Sequence, residues 1–388
     1  MKITDLKVTC VAVPFARFGE FKPVTMWYRT RYASRHAIVF IETDEGITGV
    51  GSTDESDEHD LINTAKPRLI GKDPHDVELL TNMNRNGLMQ GARTSVVHAI
   101  DTALWDIIGK TSRKPLYKLW GGKIHDPIRV RYWLPVMAPQ EQAEEAAKAV
   151  ERGWKAFKVK LGTDPKTDIQ RVKTVREAVG DDIDLGFDLN GGYNLPTAIK
   201  TLKQMEPYNP AHIEEPIPGN DLDGMADLKK RVRIPIEAHL SAGPNTMEYV
   251  ASLVNKRAAD ILHLNPIQVG GVLEAKRLCA LADAAGIPVT CQSSCAELGP
   301  SNALLLHWVT STPSFTMSND SSTHHLEPPS GDIIKNEFRT VNGTLTIPEE
   351  PGLGIAVDPE KLEKYHEVWL SGQYKHVKGL ARTDSYYW

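Results

Sequence analysis

The chain of 388 residues has only four cysteines, Cys10, Cys279, Cys291 and Cys295, and no CxxC pair. That count and placement argue against a disulfide framework and suit a cytoplasmic, reducing setting. No run of about 18 apolar residues is present for a membrane-spanning helix. The first residues, MKITDLKVTCVAVPF, lack both a long apolar core and a small-residue cleavage site, so no signal peptide is expected. Positive charge is not in excess: 45 Lys and Arg against 50 Asp and Glu leave a net −5. A nucleic-acid partner is therefore not expected, and the mild acidity serves solubility. No sequence motif recurs at a fixed period. What is there is the 41% apolar and 24% charged content of a soluble globular protein. At roughly 100–200 residues per domain, the length fits two domains or one large barrel with an attachment.

Residues 1–125 read as α+β. Ile3–Val13 and His36–Glu42 are apolar and β-branched strand candidates, with a hairpin turn at Asp44-Glu45-Gly46. Helical patterns begin near His59, His75 and Arg93. In the last, Val96, Val97, Ile100, Ala103, Leu104, Ile107 and Ile108 recur at helical spacing. From about Ile128 short apolar stretches alternate with amphipathic segments. The strand candidates are Val130–Pro135, Ala156–Leu161, Asp184–Asp188, His212–Glu215, Ile234–Ala238, Asp260–Leu264, Ile287–Cys291 and Ser314–Met317. Eight strands with seven intervening helices predict a (β/α)-barrel of α/β class. Glu360–Gly372 reads as a helix, and the aromatic end Tyr386-Tyr387-Trp388 as a packing element.

Active-site residues of such barrels lie at the C-terminal ends of the strands. Lys158 and Lys160 end strand two on one face. Mutual repulsion and desolvation would lower an ammonium pKa and make one of them a base; a solvated strand-end pair is the plainer alternative. Asp188 ends strand three and Glu214 strand four, 26 residues apart, about one βα unit. They suit either a shared hard dication such as Mg²⁺ or a pair of helix N-caps.

Four segments make the pattern specific: Asp101–Lys110 followed by Lys114–Gly122; Lys158-Val-Lys160-Leu-Gly162; Asp188 with Asn190, then Ile213-Glu-Glu-Pro216; and Val269-Gly-Gly-Val272 with Pro351–Asp358. In this order they resemble the enolase superfamily, in its mandelate racemase and muconate lactonizing branch. The resemblance implies a modified (β/α)7β TIM-type barrel over residues 126–350. It implies an α+β capping domain built from 1–125 and the tail 351–388, with loops 15–31 and 51–60 closing over the site. It implies removal of a proton α to a carboxylate, with Mg²⁺ stabilising the enediolate. Lys160 then matches the base, Lys158 its helper at the substrate carboxylate, and Asp188 and Glu214 the first two metal ligands. A small-molecule carboxylate substrate and a homo-oligomer follow from the same resemblance.

The chain departs from that pattern at three places. One further unit of 26 residues reaches Leu240, which cannot ligate a metal; His239 and Glu237 are the neighbours a bulge can swing inward. Imidazole suits transition metals better than Mg²⁺, so the site reads as one with His239 as substitute third ligand, as a metal held by the two carboxylates and water, or as a site without metal. The second base of the racemase branch is replaced by Gln292, and Asn265 stands for its Asp partner or for the lysine of the muconate branch. Both are expected to bind substrate, with Asn190, Arg29 and Arg31, the arginines reading as a capping-loop pair or an exposed strand edge. Glu327 matches the racemase acid; His324 and His325 are candidate proton carriers or plain loop residues. These losses favour dehydration of a sugar acid. The alternatives are an epimerase or cycloisomerase, and a catalytically impaired barrel that binds a ligand or regulates a partner.

Overall fold

The computed structural model describes residues 1–82, 88–89, 92–239, 247–293, 297–374 and 377–378. Leu240, Cys295 and Tyr386–Trp388 lie outside them. Ile3–Pro14, Ala33–Thr43 and Thr48–Asp54 form an antiparallel sheet in that order. The expected hairpin turn is present: Gly46 takes φ +77°, a region glycine enters without steric cost. Helix Thr94–Thr111 buries Val96, Val97, Ile100, Ala103, Leu104 and Ile107 against this sheet. The approach is backbone to backbone. A Cβ on Gly49 or Gly51 would fall 2.0 or 2.1 Å from the carbonyl oxygens of Ala103 and Ala99.

The barrel strands are, in order, Ile128–Leu134, Ala156–Lys160, Asp184–Asp188, His212–Glu214, Ile236–His239, Ile261–Leu264, Val289–Cys291 and Asn319–Asp320. All neighbouring ladders among them are parallel, and strand eight pairs with strand one. Closure between seven and eight rests on single bonds: Cys291 N–H donates to Asn319 Oδ1 (2.7 Å), and Val289 N–H to the Ser314 carbonyl (3.0 Å). Seven long helices fill the gaps: Pro139–Glu151, Pro165–Val179, Leu195–Met205, Leu222–Arg231, Met247–Lys256, Val272–Ala284 and Gly299–Thr310. After strand eight the chain enters a short 3₁₀ turn, Thr323–His325. The modified (β/α)7β barrel with an α+β cap is therefore the observed fold.

Strand eight differs from its expected place. Ser314–Met317 carries the apolar pattern, but Phe315 packs edge-on against Trp308 at 4.7 Å and is used for packing. Pairing with strand one starts only at Asn319, opposite Val130.

Two aspartates of the cap helix explain two glycine motifs. Val272 N–H donates to Asp101 Oδ2 (2.8 Å), so a cap residue closes the N-terminus of a barrel helix. A Cβ on Gly271 would stand 2.7 Å from that carboxyl carbon. Asp106 accepts from Val50 N–H (3.0 Å), Leu353 N–H (2.9 Å) and Lys110 (2.6 Å), tying sheet, helix and the 351–354 turn together. Helix Pro359–Leu370 then returns to the cap: His366 bonds the Cys10 carbonyl (2.7 Å), and Trp369 donates to Glu55, which also holds Arg35.

Candidate active site

Strand alternation sends Val130, Tyr132, Phe157, Val159, Leu185, Phe187, Leu262 and Leu264 into the apolar core shared with the helices. The opposite face fills the barrel. In many barrels that interior is branched aliphatic; here it is charged. Arg131 of strand one contacts His212 (2.7 Å), Glu237 (3.3 Å), His263 (3.3 Å) and Asp320. Those partners belong to strands four, five, six and eight, so the guanidinium crosses the lumen. His212 has room because Gly186 lacks a side chain; a Cβ there would lie 2.1 Å from its Nε2. Glu237 also pairs with His212 (3.1 Å) and accepts from Thr290.

Above this layer stand the lysines. Lys158 Nζ is 2.6 Å from Glu214, 2.9 Å from Asp320 and 3.5 Å from Asp188. Lys160 Nζ bonds Asp188 and Asn190 Oδ1 (3.0 Å) and lies 5.3 Å from the Trp133 ring. Burial disfavours both ammonium groups. The surrounding carboxylates outweigh it, Asp320, Glu214 and Asp188 for Lys158 and Asp188 for Lys160, and both pKa values are raised. This corrects the expectation of a lowered lysine pKa: repulsion between the two is smaller than their attraction to the acids. Asp188 is held well below the usual carboxylate range by Lys160 and Lys158 despite its burial. Glu214, pushed up by burial and by Asp188, sits at about 8. His239 is raised to about 9; burial opposes this, but Glu215 and Glu214 prevail. His263 is driven down to about 3 by burial and by Lys158.

Of the site residues read from sequence, Lys158, Lys160, Asp188, Asn190, Glu214 and His239 converge at the barrel mouth. His239 Nδ1 lies 3.5 Å from Glu214 Oε1. Asn265 caps the turn after strand six through Ile267 N–H (2.9 Å). Its buried Nδ2 and the buried Oε1 of Gln292 have no hydrogen-bond partner among the described residues. Arg29 and Arg31 lie on a hairpin strand, Arg29–Arg31, paired with Val24–Met26. This hairpin roofs the site. Trp27 Nε1–H donates to the Leu189 carbonyl (3.0 Å), and Val136 N–H to that of Thr25 (2.8 Å). Both arginines are half-buried.

Three residues are not brought there. Glu327 forms an ion pair with Arg152 (3.1 Å) and accepts from Phe18 N–H (3.1 Å), away from the lysines. His325 meets the Trp133 ring edge-on at 5.2 Å and its Nδ1 lies 3.4 Å from Arg17; burial drives its pKa well down. His324 bonds the Trp133 backbone (3.1 Å) and is lowered to about 3, chiefly by burial, so neither histidine is cationic near neutrality. No sequence motif marks Arg131, His212, His263, Thr290 or Asp320. Strand alternation was the signal available for the first four; Asp320 was hidden by the misplaced eighth strand.

Glu214, Glu237 and His263 offer ligand atoms within 4.8 Å of one another. Glu237 and His263, however, are engaged by Arg131, Thr290, Lys158 and Asp320. The orphaned atoms lie higher. Glu214 Oε1 and both ring nitrogens of His239 make no hydrogen bond among the described residues, although all three atoms are buried; Glu214 Oε2 faces Lys158 Nζ at 2.6 Å. Buried polar groups without partners are uncommon. With Asp188, they form a donor set that fits a divalent cation.

The chain matches the model of the mandelate racemase / muconate lactonizing enzyme N-terminal domain over residues 7–121 and that of the enolase C-terminal domain-like family over residues 141–361. It belongs to this family of the enolase superfamily. It is 30% identical over 385 residues to the N-succinyl-L-Arg/Lys racemase of Bacillus cereus, covering 94% of this chain and 98% of the relative. It is 28% identical over 341 residues to the arabinonate dehydratase of Saccharolobus solfataricus, covering 84% and 89%. The crystal structure of the Bacillus cereus racemase superposes with a TM-score of 0.85 at 28% identity over 94% of this chain and 98% of that one. That of the L-Ala-D/L-Glu epimerase from Bacillus subtilis gives 0.84 at 26% over 92% and 99%. Relatives thus include racemases, epimerases and sugar-acid dehydratases.

Proposed function

We propose that the protein abstracts the proton α to the carboxylate of a sugar acid and expels the β-hydroxyl as water. The observation that carries this reading is a one-sided set of proton-transfer groups. Lys160 stands at the mouth, whereas Asn265 and Gln292 follow strands six and seven and do not exchange protons at neutral pH. His263 is tied to Thr290 (2.6 Å) and Asp320 (3.2 Å) beneath Lys158. Racemisation by two opposed bases lacks its second partner among the described residues. Elimination needs one: freed from Asp188, Lys160 takes the α-proton and returns it to the departing hydroxyl on the same face. Lys158, fixed as an ammonium by Asp320, Glu214 and Asp188, faces the substrate carboxylate. A divalent cation on Asp188, Glu214 and His239 would supply Lewis-acid stabilisation of the enediolate. Similarity to the arabinonate dehydratase supports a sugar-acid substrate.

The test is incubation with a library of acid sugars in ²H₂O. The expected product is a 2-keto-3-deoxy acid bearing solvent deuterium at C3, with Lys160→Ala lowering its rate by about 10²–10⁴-fold. Recovery of substrate inverted at C2 without ketone overturns dehydration in favour of epimerisation, the second reading, which similarity to the racemase supports.

A further inference from the structure

The donor atoms at the barrel mouth have a chemistry of their own. Two of the three residues are carboxylates, Asp188 and Glu214. The third, His239, is 4% exposed, and both its nitrogens lack hydrogen-bond partners among the described residues. Its Nδ1 lies 3.5 Å from Glu214 Oε1 and 3.8 Å from Glu215 Oε2. Nδ1 is thus turned towards Glu214, a carboxylate of the cation site, and is the nitrogen placed to act as the donor. The deeper imidazole, His263, does not compete for this role, because Thr290 and Asp320 hold its two nitrogens. Mg²⁺ is a hard ion that prefers oxygen and sheds water reluctantly. Imidazole nitrogen favours the first-row transition dications, in the rising order Mn²⁺, Co²⁺, Ni²⁺.

We infer that His239 is a nitrogen donor to the cation site and makes the site selective for transition dications over Mg²⁺. This rests on the proposed placement of a cation at Asp188 and Glu214, and it deepens that reading by naming the class of ion. Dehydration and epimerisation both accommodate it.

The experiment is calorimetric titration of the chelator-treated full chain, without substrate, using Ni²⁺, Co²⁺, Mn²⁺ and Mg²⁺ separately. Electron spin-echo spectroscopy of the Mn²⁺ form is run alongside. The expected affinity order is Ni²⁺, Co²⁺, Mn²⁺, Mg²⁺, with a ¹⁴N modulation on Mn²⁺. His239→Asp should abolish the modulation and shrink the Ni²⁺/Mg²⁺ affinity ratio by about ten-fold or more. His239→Asn, a smaller change in shape and charge, should also abolish the modulation and covers the case in which the Asp variant does not fold. An unchanged ratio in the folded variants, or a ¹⁴N signal that survives either substitution, overturns the assignment. No reaction is monitored, so failure here leaves the dehydration reading to its own test. Binding of none of the four ions would instead remove the cation from both.

Discussion

At the scale of the residue, the barrel interior is governed by charge compensation. Arg131, Lys158 and Lys160 are each almost wholly buried, and each sits against carboxylates that are buried too. Such pairs add little net stability when intact, but breaking one strands an uncompensated charge. Arg131→Leu leaves Glu237 and Asp320 without their guanidinium. It is expected to cost about 3–5 kcal/mol in urea denaturation. Arg131→Lys should recover only part of that, since one ammonium cannot span the four residues the planar fork reaches. The lysine pair was legible in the sequence because strand alternation alone puts both on one face. Its protonation state was not, because that depends on acids from strands three, four and eight.

At the scale of the element, the joints between cap and barrel are set by glycines facing aspartates. Gly271 and Gly121 have nearly the same φ, +124° and +122°. They differ in surroundings: a Cβ at 271 would meet Asp101, whereas at 121 nothing lies within 4 Å. Both alanine substitutions suffer the backbone strain, so their difference isolates the joint. Gly271→Ala should be the more destabilising by about 1–3 kcal/mol, the usual cost of forcing an extra carbon into a packed site, as read by thermal or urea unfolding. The motif was visible in the sequence; its reason was not, since Asp101 and Gly271 are brought together only by the docking of the cap helix on a barrel helix. The eighth strand teaches the converse. Its apolar neighbour Phe315 serves Trp308, and the two-residue strand itself is polar, so no periodicity marks it.

At the scale of the whole molecule, stability should have opposing pH dependences. Asp188, Glu237 and Asp320 have folded pKa values below the ordinary range, through Lys160 and Lys158 for the first and Arg131 foremost for the other two, all against burial. Their contribution is present above a pH of about 4 and is lost as pH falls towards the folded values. Asp101 runs the other way. Burial raises it to about 7, against the donation from Val272 N–H. The folded chain then holds a proton that the unfolded chain has released, so its contribution is full below about pH 4 and is lost as pH rises towards 7. Asp101→Asn keeps an acceptor for Val272 and has no charge to titrate. The variant should therefore flatten the fall in melting temperature between pH 4 and 7, and an unchanged slope would refute the assignment.

The sequence by itself determined the α/β barrel, the cap strands and helix, the lysine pair and the two strand-end carboxylates Asp188 and Glu214. Each follows from local periodicity, or from short motifs whose residues are neighbours along one strand or one turn. Only the tertiary structure decided which charges oppose which, that Glu327 pairs with Arg152, that His325 packs against Trp133, and that His239 turns towards Glu214. Those outcomes depend on residues tens to hundreds of positions apart meeting across the lumen, and on burial, which sets how strongly each charge is felt once they meet.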